Sequence, residues 1–206
     1  MNKIRLALLF LAMSFAASSA YAQVINFDDL PSDTPTRISN GYAGLNWDNF
    51  YVLDGTKYLP GIGYQNGIVS SPNVAFNAYG SPATISNPNG FNLVSGYFNG
   101  AWNNGLQITA TTANPGVIYS TSFSVNTTGP TYIAFNWNNI TSVTFSSAGG
   151  TSAGYHGGGK HFALDNLTVT AVPEPEEYGM MLLGFGMVGY QIKRKRKQKM
   201  AALTAA

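Results

Sequence analysis

The chain of 206 residues contains no cysteine, and only 10% of its residues are charged. The absence of cysteine excludes disulfide bonds, thiolate catalysis and thiolate metal sites. The charged fraction is well below the roughly 25% that is usual for soluble globular proteins. Between Gln23 and Val172 there is also no glutamate, so a pair of catalytic carboxylates in this stretch would have to come from aspartates. Glycine, asparagine, serine and threonine are abundant instead, which is typical of an extracellular β-protein with many turns.

Positive charge is concentrated at the two ends of the chain. The stretch between the ends has three basic residues and six aspartates, a net charge of 3 − 6 = −3. Its basic residues are Arg37, Lys57 and Lys160. Because nucleic-acid binding depends on basic surfaces, this mildly acidic stretch argues against a nucleic-acid partner.

The first 22 residues have the features of a secretory signal peptide. A short basic start is followed by an apolar run from Leu6 to Ala17, and then by Ala20-Tyr21-Ala22, which fits the small-x-small site of signal peptidase. The apolar run is too short for an uncleaved membrane anchor. We therefore expect residues 1–22 to be removed by signal peptidase, so that Gln23 begins the mature chain.

The C-terminal region, residues 172–199, combines three elements in a fixed order. Pro173-Glu174-Pro175 is followed by an apolar segment, residues 178–192, and then by a basic cluster, residues 193–199; residues 200–206 form a short tail. The apolar segment predicts a single transmembrane helix, although its length is below the roughly 20 residues of a full span. A basic cluster resists transfer across the membrane, which keeps this end cytoplasmic. The residues of this membrane-stop cluster are Lys193, Arg194, Lys195, Arg196 and Lys197.

In order and spacing, this region resembles the PEP-CTERM sorting signal of Gram-negative bacteria that secrete exopolysaccharide. The resemblance implies that the chain is the substrate of an exosortase, a membrane-embedded cysteine protease-transpeptidase that processes near Pro173-Glu174-Pro175. It also implies an inner-membrane intermediate and then a cell-surface or extracellular location. A plain C-terminal anchor would share the apolar and basic elements but not the Pro-Glu-Pro element.

Residues 23–171 predict one all-β domain. Short β-rich stretches alternate with clusters of glycine, proline and asparagine, without sustained helical periodicity. This spacing favours a two-sheet sandwich over a repeat array. The apolar parity of the last stretch shifts across Asp165-Asn166, which predicts a β-bulge there. The expected strands are Val24–Phe27, Leu45–Leu53, Ile68–Ala75, Phe91–Phe98, Leu106–Thr111, Val117–Val125, Tyr132–Trp137, Ile140–Ser146 and Phe162–Thr170.

Three strings, INFDDL (25–30), FNLVSGYF (91–98) and FALDNLTV (162–169), resemble the jelly-roll modules often found ahead of PEP-CTERM tails. Those modules are similar to carbohydrate-binding and lectin-like β-sandwiches. The resemblance implies a jelly-roll-like fold and a structural calcium ion shared by Asp28 or Asp29 with Asp165. Calcium accepts such oxygen ligands in irregular geometry. The alternative is that Asp28 and Asp29 form turn hydrogen bonds and Asp165 caps the bulge.

One glycine-rich segment, residues 150–159, contains strings that match hydrolase motifs. Residues 150–154 fit G-x-S-x-G, and residues 156–159 fit an oxyanion-hole string. Their order and their setting in a glycine-rich loop are wrong for a nucleophile elbow, so we expect a flexible surface loop and no catalytic residue. His156 and His161 are the only histidines; with no third metal ligand at a suitable spacing, they are expected to be solvated.

Aromatic side chains are the better candidates for binding, because their faces stack on sugars. Those in or beside loops and strands are Trp47, Tyr51, Tyr58, Tyr64, Tyr97, Trp102, Trp137 and Tyr155. Trp47 and Trp137 lie within strand patterns and are expected to pack in the core, whereas Trp102 lies in a loop and is the candidate glycan-binding residue. We therefore expect a non-enzymatic surface or matrix protein associated with exopolysaccharide or biofilm. The alternatives are a carbohydrate-binding module and a secreted glycan-active enzyme.

Overall fold

The computed structural model describes residues 22–57, 61–113, 118–172 and 175–204. The expected signal peptide, apart from Ala22, lies outside the described residues, as do Tyr58 and the sorting-motif residues Pro173 and Glu174. The chain divides after Val172: the strands belong to one compact unit and the C-terminal helix belongs to another.

The described part of the chain contains twelve strands, two α-helices and three short 3-10 turns. The strands are β1 (Ala22–Ile25), β2 (Thr36–Arg37), β3 (Asn46–Asp48), β4 (Phe50–Asp54), β5 (Asn73–Asn77), β6 (Ala83–Gly100), β7 (Asn103–Asn104), β8 (Leu106–Thr112), β9 (Ser120–Val125), β10 (Thr131–Ala148), β11 (Thr151–Ser152) and β12 (Phe162–Ala171). The helices are α1 (Gly63–Asn66) and α2 (Pro175–Thr204). The 3-10 turns are Tyr42–Gly44, Gly55–Lys57 and Ala78–Gly80.

Ten of the strands form one antiparallel sheet. Its order is β2-β4-β5-β12-β6-β10-β8-β9, with β1 paired to β12 and β3 paired to β6. The remaining two, β7 and β11, pair with each other. All pairs are antiparallel, which confirms the all-β prediction for this part of the chain.

The sheet folds over on itself to enclose an apolar core. Along the sheet, β4 and β10 are separated by three strands, which corresponds to about 19 Å in a flat sheet. The ring centroids of Phe50 on β4 and Phe145 on β10 are nevertheless only 6.3 Å apart. Phe98 on β6 and Phe123 on β9 have two strands between them and ring centroids 5.1 Å apart. Side chains from distant strands therefore meet face to face, as the predicted sandwich requires.

Residues that fill this core follow the strand period of two. In β8, Leu106, Ile108 and Ala110 are buried, whereas the residues between them are less buried or exposed. Trp47 and Trp137 are 1% and 7% exposed, which confirms that they are packing residues. Burial of each large apolar side chain contributes about 1.5–3 kcal/mol relative to its exposed state, so these positions hold the two halves of the sheet together.

The strand boundaries differ from the expected ones where asparagine adopts left-handed backbone. The stretches Tyr132–Trp137 and Ile140–Ser146 join into β10, because Asn136 and Asn139, with φ of 54° and 52°, accommodate the register shifts between them. Conversely, the expected strand Leu45–Leu53 is broken at Asn49, with φ of 57°. Asparagine tolerates this conformation better than most residues, so it can act as a local irregularity without ending a sheet.

Two further strands begin at residues other than the expected ones. Strand β6 begins at Ala83 instead of the expected Phe91 and continues through Asn87–Gly90, because Gly90 supplies the positive φ of 84° that the irregularity needs. The expected strand Ile68–Ala75 begins only at Asn73, since the preceding residues are irregular or form bends.

Helix α2 is longer than the expected segment 178–192. It extends over 30 residues and includes the basic cluster, with Lys193–Arg196 exposed. The extension reflects composition, because lysine, arginine, glutamine and alanine all favour helix. Within the ranges that the structure describes, no helix is both long enough and apolar enough to cross a membrane.

Candidate functional site

One face of β4, β5, β12 and β6 points away from the main core. The strand register pairs Tyr51 with Phe76, Phe76 with Ala163, and Ala163 with Asn99. Because paired residues share a face, these four side chains form a row across four strands. This row is the floor of the candidate site.

Helix α1 packs closely on this face. Asn99 Nδ2 donates to the carbonyl oxygen of Gly63 at 2.7 Å, and the Gly63 amide donates to the carbonyl oxygen of Ala101 at 3.1 Å. A Cβ on Gly63 would lie 1.8 Å from the carbonyl oxygen of Gly100. Glycine is therefore required here, and its close approach places Tyr64 over the floor.

Six rings form a continuous array on this face, and we call them the aromatic cluster. Its members are Tyr51, Tyr64, Phe76, Tyr79, Trp102 and His161. Tyr64 is central, with ring centroids 5.4 Å from Phe76 and 5.5 Å from Trp102. His161 stacks on Phe76 at 5.9 Å with an interplanar angle of 13°. Tyr51 lies 6.0 Å from Phe76 and 6.5 Å from Tyr79, which extends the array to the surface.

His161 is a structural part of the cluster. Its Nδ1 lies 2.8 Å from the hydroxyl oxygen of Tyr64, and burial lowers the pKa of its imidazole below the ordinary value. The imidazole is therefore neutral near pH 7, when one ring nitrogen donates and the other accepts. The expectation of a solvated side chain is wrong for His161, which is half-buried, whereas His156 is exposed.

Trp102 is less accessible than its loop position suggested. Its ring meets Tyr64 edge-on, and a Cβ on Gly157 would lie 2.6 Å from two of its ring atoms. The Ala153 amide also donates to the Trp102 carbonyl oxygen at 2.9 Å. The glycine-rich loop therefore packs against Trp102, and the side chain is only partly exposed. Trp102 belongs to the cluster but is not its outermost ring.

Tyr79 is the exposed end of the cluster. Its side chain is 83% exposed, and its backbone has a φ of 58°, a conformation that costs a residue with a bulky side chain about 1–3 kcal/mol. The structure holds this turn with an amide from another strand connection: Asn49 Nδ2 lies 3.1 Å, 3.3 Å and 3.0 Å from the carbonyl oxygens of Ala78, Ser81 and Pro82. Tyr79 was not a sequence candidate. The only sequence signal is the turn-forming string Asn-Ala-Tyr-Gly at 77–80.

The carboxylate of Asp165 is surrounded by hydrogen-bond donors. It accepts from the amides of Val69, Ser70 and Asn166 at 2.7 Å, 2.8 Å and 2.7 Å, and from the Ser70 hydroxyl at 3.1 Å. Burial raises the pKa of Asp165, and these donors oppose that effect. The register shift between Asp165 and Thr168, together with the φ of 48° at Asn166, confirms the predicted bulge. Asp165 caps this bulge and anchors the turn before β5.

The suggested calcium ligands Asp28, Asp29 and Asp165 all accept hydrogen bonds within the protein. Asp28 Oδ1 accepts from the Asn73 amide at 3.0 Å, and Asp29 Oδ1 accepts from the Tyr42 hydroxyl at 2.7 Å. Within the described ranges no three histidine, cysteine, aspartate or glutamate residues gather as a metal site. Each of these carboxylates therefore accepts hydrogen bonds from protein donors, as the turn and bulge-cap alternative requires, and the shared calcium ion stays a prediction.

The hydrolase-like string also lies in the wrong context. Thr151 and Ser152 form the short strand β11, which pairs with β7. The Ser152 hydroxyl oxygen accepts from the Gly154 amide at 3.2 Å, and irregular residues and bends follow, not a helix. The strand–turn–helix geometry of a nucleophile elbow is therefore absent from this described segment.

Comparisons with known proteins give structural neighbours only. No family model matches the chain, and no curated protein matches it. A CBM61 module, TmCBM61, solved with β-1,4-galactotriose is similar at a TM-score of 0.38 and 10% identity, covering 72% of this chain and 99% of that one. A DUF4465 family protein from Bacteroides ovatus is similar at a TM-score of 0.40 and 10% identity, and the match covers 74% of this chain and 95% of that one. The tandem CBM22 domains of Paenibacillus barcinonensis Xyn10C are similar at a TM-score of 0.40 and 11% identity, and the match covers 77% of this chain and 49% of that one.

Proposed function

We propose that this chain is an exported, non-catalytic protein whose β-domain binds a polysaccharide through the aromatic cluster. The exposed ring of Tyr79 is the observation that carries this proposal. An exposed tyrosine on a fixed turn offers a flat apolar face to a sugar ring, and its hydroxyl can bond a sugar hydroxyl. Because Asn49 already holds the turn, binding loses little additional conformational entropy.

The rest of the cluster supports Tyr79 from behind. Tyr51 and Phe76 pack beneath the turn that carries Tyr79, and His161 stacks on Phe76 and holds its ring in place. The hydroxyl groups of Tyr51 and Tyr79 and the imidazole of His161 supply uncharged donors and acceptors, which suit the many hydroxyl groups of a polysaccharide. The arrangement is therefore better suited to holding a sugar chain than to holding an apolar ligand.

The cluster lacks the groups that glycoside hydrolysis needs. Hydrolysis uses a pair of carboxyl groups on either side of the scissile bond, and none of the six cluster residues is acidic. The Asp165 carboxylate is occupied by backbone and serine donors, and Asp54 accepts from Thr56 and forms an ion pair with Lys57. These partners support the non-catalytic part of the proposal.

The most direct test compares two exposed tyrosines. Full-length protein, kept soluble in a polyoxyethylene detergent that contains no sugar, is titrated against a panel of immobilised polysaccharides. Tyr79→Ala should weaken binding about tenfold, since a stacking contact contributes about 1 kcal/mol or slightly more. Tyr132→Ala is the matched control, because Tyr132 is 55% exposed and packs on Tyr97 outside the cluster. Failure of every polysaccharide to bind, or equal losses in both variants, would contradict the proposal.

We also propose export and sorting from the two chain ends. The order of Pro173-Glu174-Pro175, the apolar segment 178–192 and the basic cluster supports processing by an exosortase in a Gram-negative bacterium. Signal peptidase would act first, the inner membrane would hold an intermediate, and the protein would reach the cell surface or an extracellular matrix such as biofilm. Mass spectrometry of the surface and secreted forms gives both mature termini. An intact C-terminus in wild-type cells, together with unchanged location after deletion of the exosortase gene, would contradict sorting.

A further inference from the structure

Lys160 is fixed beside the Tyr79 turn by its backbone. Its carbonyl oxygen accepts from Asn77 Nδ2 at 3.4 Å and from the Ser147 hydroxyl. Its amide nitrogen lies 3.1 Å from the position that a Cβ on Gly80 would occupy. Asn77 Nδ2 also donates to the Ser81 carbonyl oxygen at 3.0 Å, so one buried asparagine positions both Lys160 and the turn that carries Tyr79.

The charge of Lys160 is not neutralised by a neighbouring carboxylate. Of the other two cations in residues 23–171, Arg37 pairs with Asp48 at 3.3 Å. Lys57 pairs with Asp33 at 2.7 Å and with Asp54 at 3.3 Å. Lys160 is exposed and forms no ion pair with any residue that the structure describes. It is therefore available to an external anion.

Acidic side chains lie mostly at the opposite end of the β4–β5 pair. Asp54 pairs with Asn73 there, whereas Phe50 pairs with Asn77 at the end next to Tyr79. Four residues of strand separate the two ends, about 13 Å. Asp28 also bonds Asn73 and therefore lies at the acidic end. Asp48, which precedes Asn49 at the Tyr79 end, is paired with Arg37, so Lys160, whose backbone borders the Tyr79 turn, is the unpaired cation at this end among the described residues.

We infer that the polysaccharide is acidic, with a sugar that stacks on Tyr79 and carries a carboxylate that binds the Lys160 ammonium. This inference rests on the proposed function and adds the substrate class. An ammonium group donates three hydrogen bonds, which a sugar carboxylate accepts. Because an exposed ion pair contributes at most about 1 kcal/mol, the preference for the acidic polymer should be about fivefold. It should diminish as salt screens the charges.

The test compares acidic polymers with uncharged versions of the same backbones. Polygalacturonate and alginate are each titrated with full-length protein alongside their carboxyl-reduced forms. Wild type should bind at least one acidic polymer about fivefold more tightly than its reduced form. Lys160→Gln should bind both forms equally, at the affinity that wild type shows for the reduced form. Lys57→Gln removes the same charge at the acidic end and should retain the preference; circular dichroism confirms that both variants are folded.

The outcomes separate this inference from the function on which it rests. Equal wild-type binding to the acidic and reduced polymers, with a loss in Tyr79→Ala, overturns the acidic substrate and leaves polysaccharide binding intact. Loss of the preference in Lys57→Gln as well as in Lys160→Gln overturns the role of Lys160, because net charge would then explain the selectivity. Absence of binding to every polymer of the panel, acidic or neutral, overturns both.

Discussion

The hydroxyl oxygen of Tyr64 lies 2.8 Å from Nδ1 of His161, although the two residues are 97 positions apart in the chain. The contact joins α1 to the residue that precedes β12, and both rings also pack on Phe76. The three side chains thus support one another beneath the exposed part of the cluster. A disturbance of His161 should therefore affect the cluster as well as the stability of the domain.

The pH dependence of stability provides a test of His161. Burial lowers the pKa of His161 in the folded protein below its ordinary value of 6.5. As the pH falls below about 6.5, the unfolded chain therefore takes up a proton that the folded protein still excludes. The stabilising effect is complete above that pH and is lost as the pH falls through the folded pKa. We expect Tm to decrease between about pH 7.5 and pH 5, and to decrease less in His161→Phe, which keeps a ring against Phe76.

The matched control for this prediction is His156→Gln. His156 is exposed, so its replacement should leave the decrease in Tm between the two pH values unchanged. Thermal unfolding followed by circular dichroism measures all three proteins. The same pH dependence in His161→Phe and wild type would show that another group is responsible.

The Tyr79 turn depends on an amide that lies far away in the sequence. The three carbonyl oxygens near Asn49 Nδ2 belong to residues 29 to 33 positions later in the chain. Asn49→Gly keeps the left-handed backbone that position 49 requires but removes the amide, so it isolates the hydrogen bonds. We expect a loss of about 1 kcal/mol in the free energy of unfolding, because one part-buried and two exposed hydrogen bonds are removed. Urea unfolding measures this loss.

Asn49→Gly should also weaken polysaccharide binding, even though Tyr79 remains. A mobile turn has to be ordered when the sugar binds, and this ordering costs affinity. Unchanged affinity together with reduced stability would mean that the turn is ordered without Asn49. In that case the preorganisation of Tyr79 would need another explanation.

These contacts show which parts of the structure the sequence could predict. Short β-rich stretches between glycine, proline and asparagine clusters predicted β8 and β9, because strand propensity and turn residues are local properties. The exposure of Tyr79 and the covering of Trp102 depend on Asn49 and Gly157, which approach only in the folded chain. Local pattern carries no information about such partners, so the cluster could be anticipated by residue type but not by position.

The bulge at Asp165 is an intermediate case. A shift in apolar parity predicted the irregularity, but the donors from Val69 and Ser70 lie about 95 positions earlier in the chain. Nothing in the local sequence distinguishes a carboxylate that accepts hydrogen bonds from one that holds calcium. The donors to Asp165 come from the tertiary fold, which the local sequence does not reveal.

Asp165→Asn tests that assignment. The side-chain amide of asparagine has an NH2 group in place of one carboxylate oxygen, so it would face the N–H groups of Val69 or Ser70 without accepting from them. The negative charge that strengthens the remaining hydrogen bonds would also be lost. We expect a decrease of about 3 kcal/mol in the free energy of unfolding, measured by urea titration. Removal of calcium with a chelator should leave the Tm of the wild type unchanged. A calcium-dependent rise in Tm that disappears in both Asp165→Asn and Asp28→Asn would instead support a metal site.

Helix α1 approaches the end of β6 so closely that only glycine fits at position 63. In Gly63→Ala the new Cβ would lie 1.8 Å from the Gly100 carbonyl oxygen and 2.7 Å from Ala101 Cα, and backbone atoms cannot rotate away as a side chain would. Overpacking of this kind costs about 3 kcal/mol, and relief of the clash would lift α1 and displace Tyr64 from Phe76. Gly129→Ala is the control, because no atom lies within 4 Å of its new Cβ. Lower stability in urea and a changed near-ultraviolet circular dichroism signal from the aromatic rings are both expected for Gly63→Ala alone. If the two variants behave alike, the packing of α1 on the sheet is looser than these distances require, and the cluster loses the rigid support on which its binding role depends.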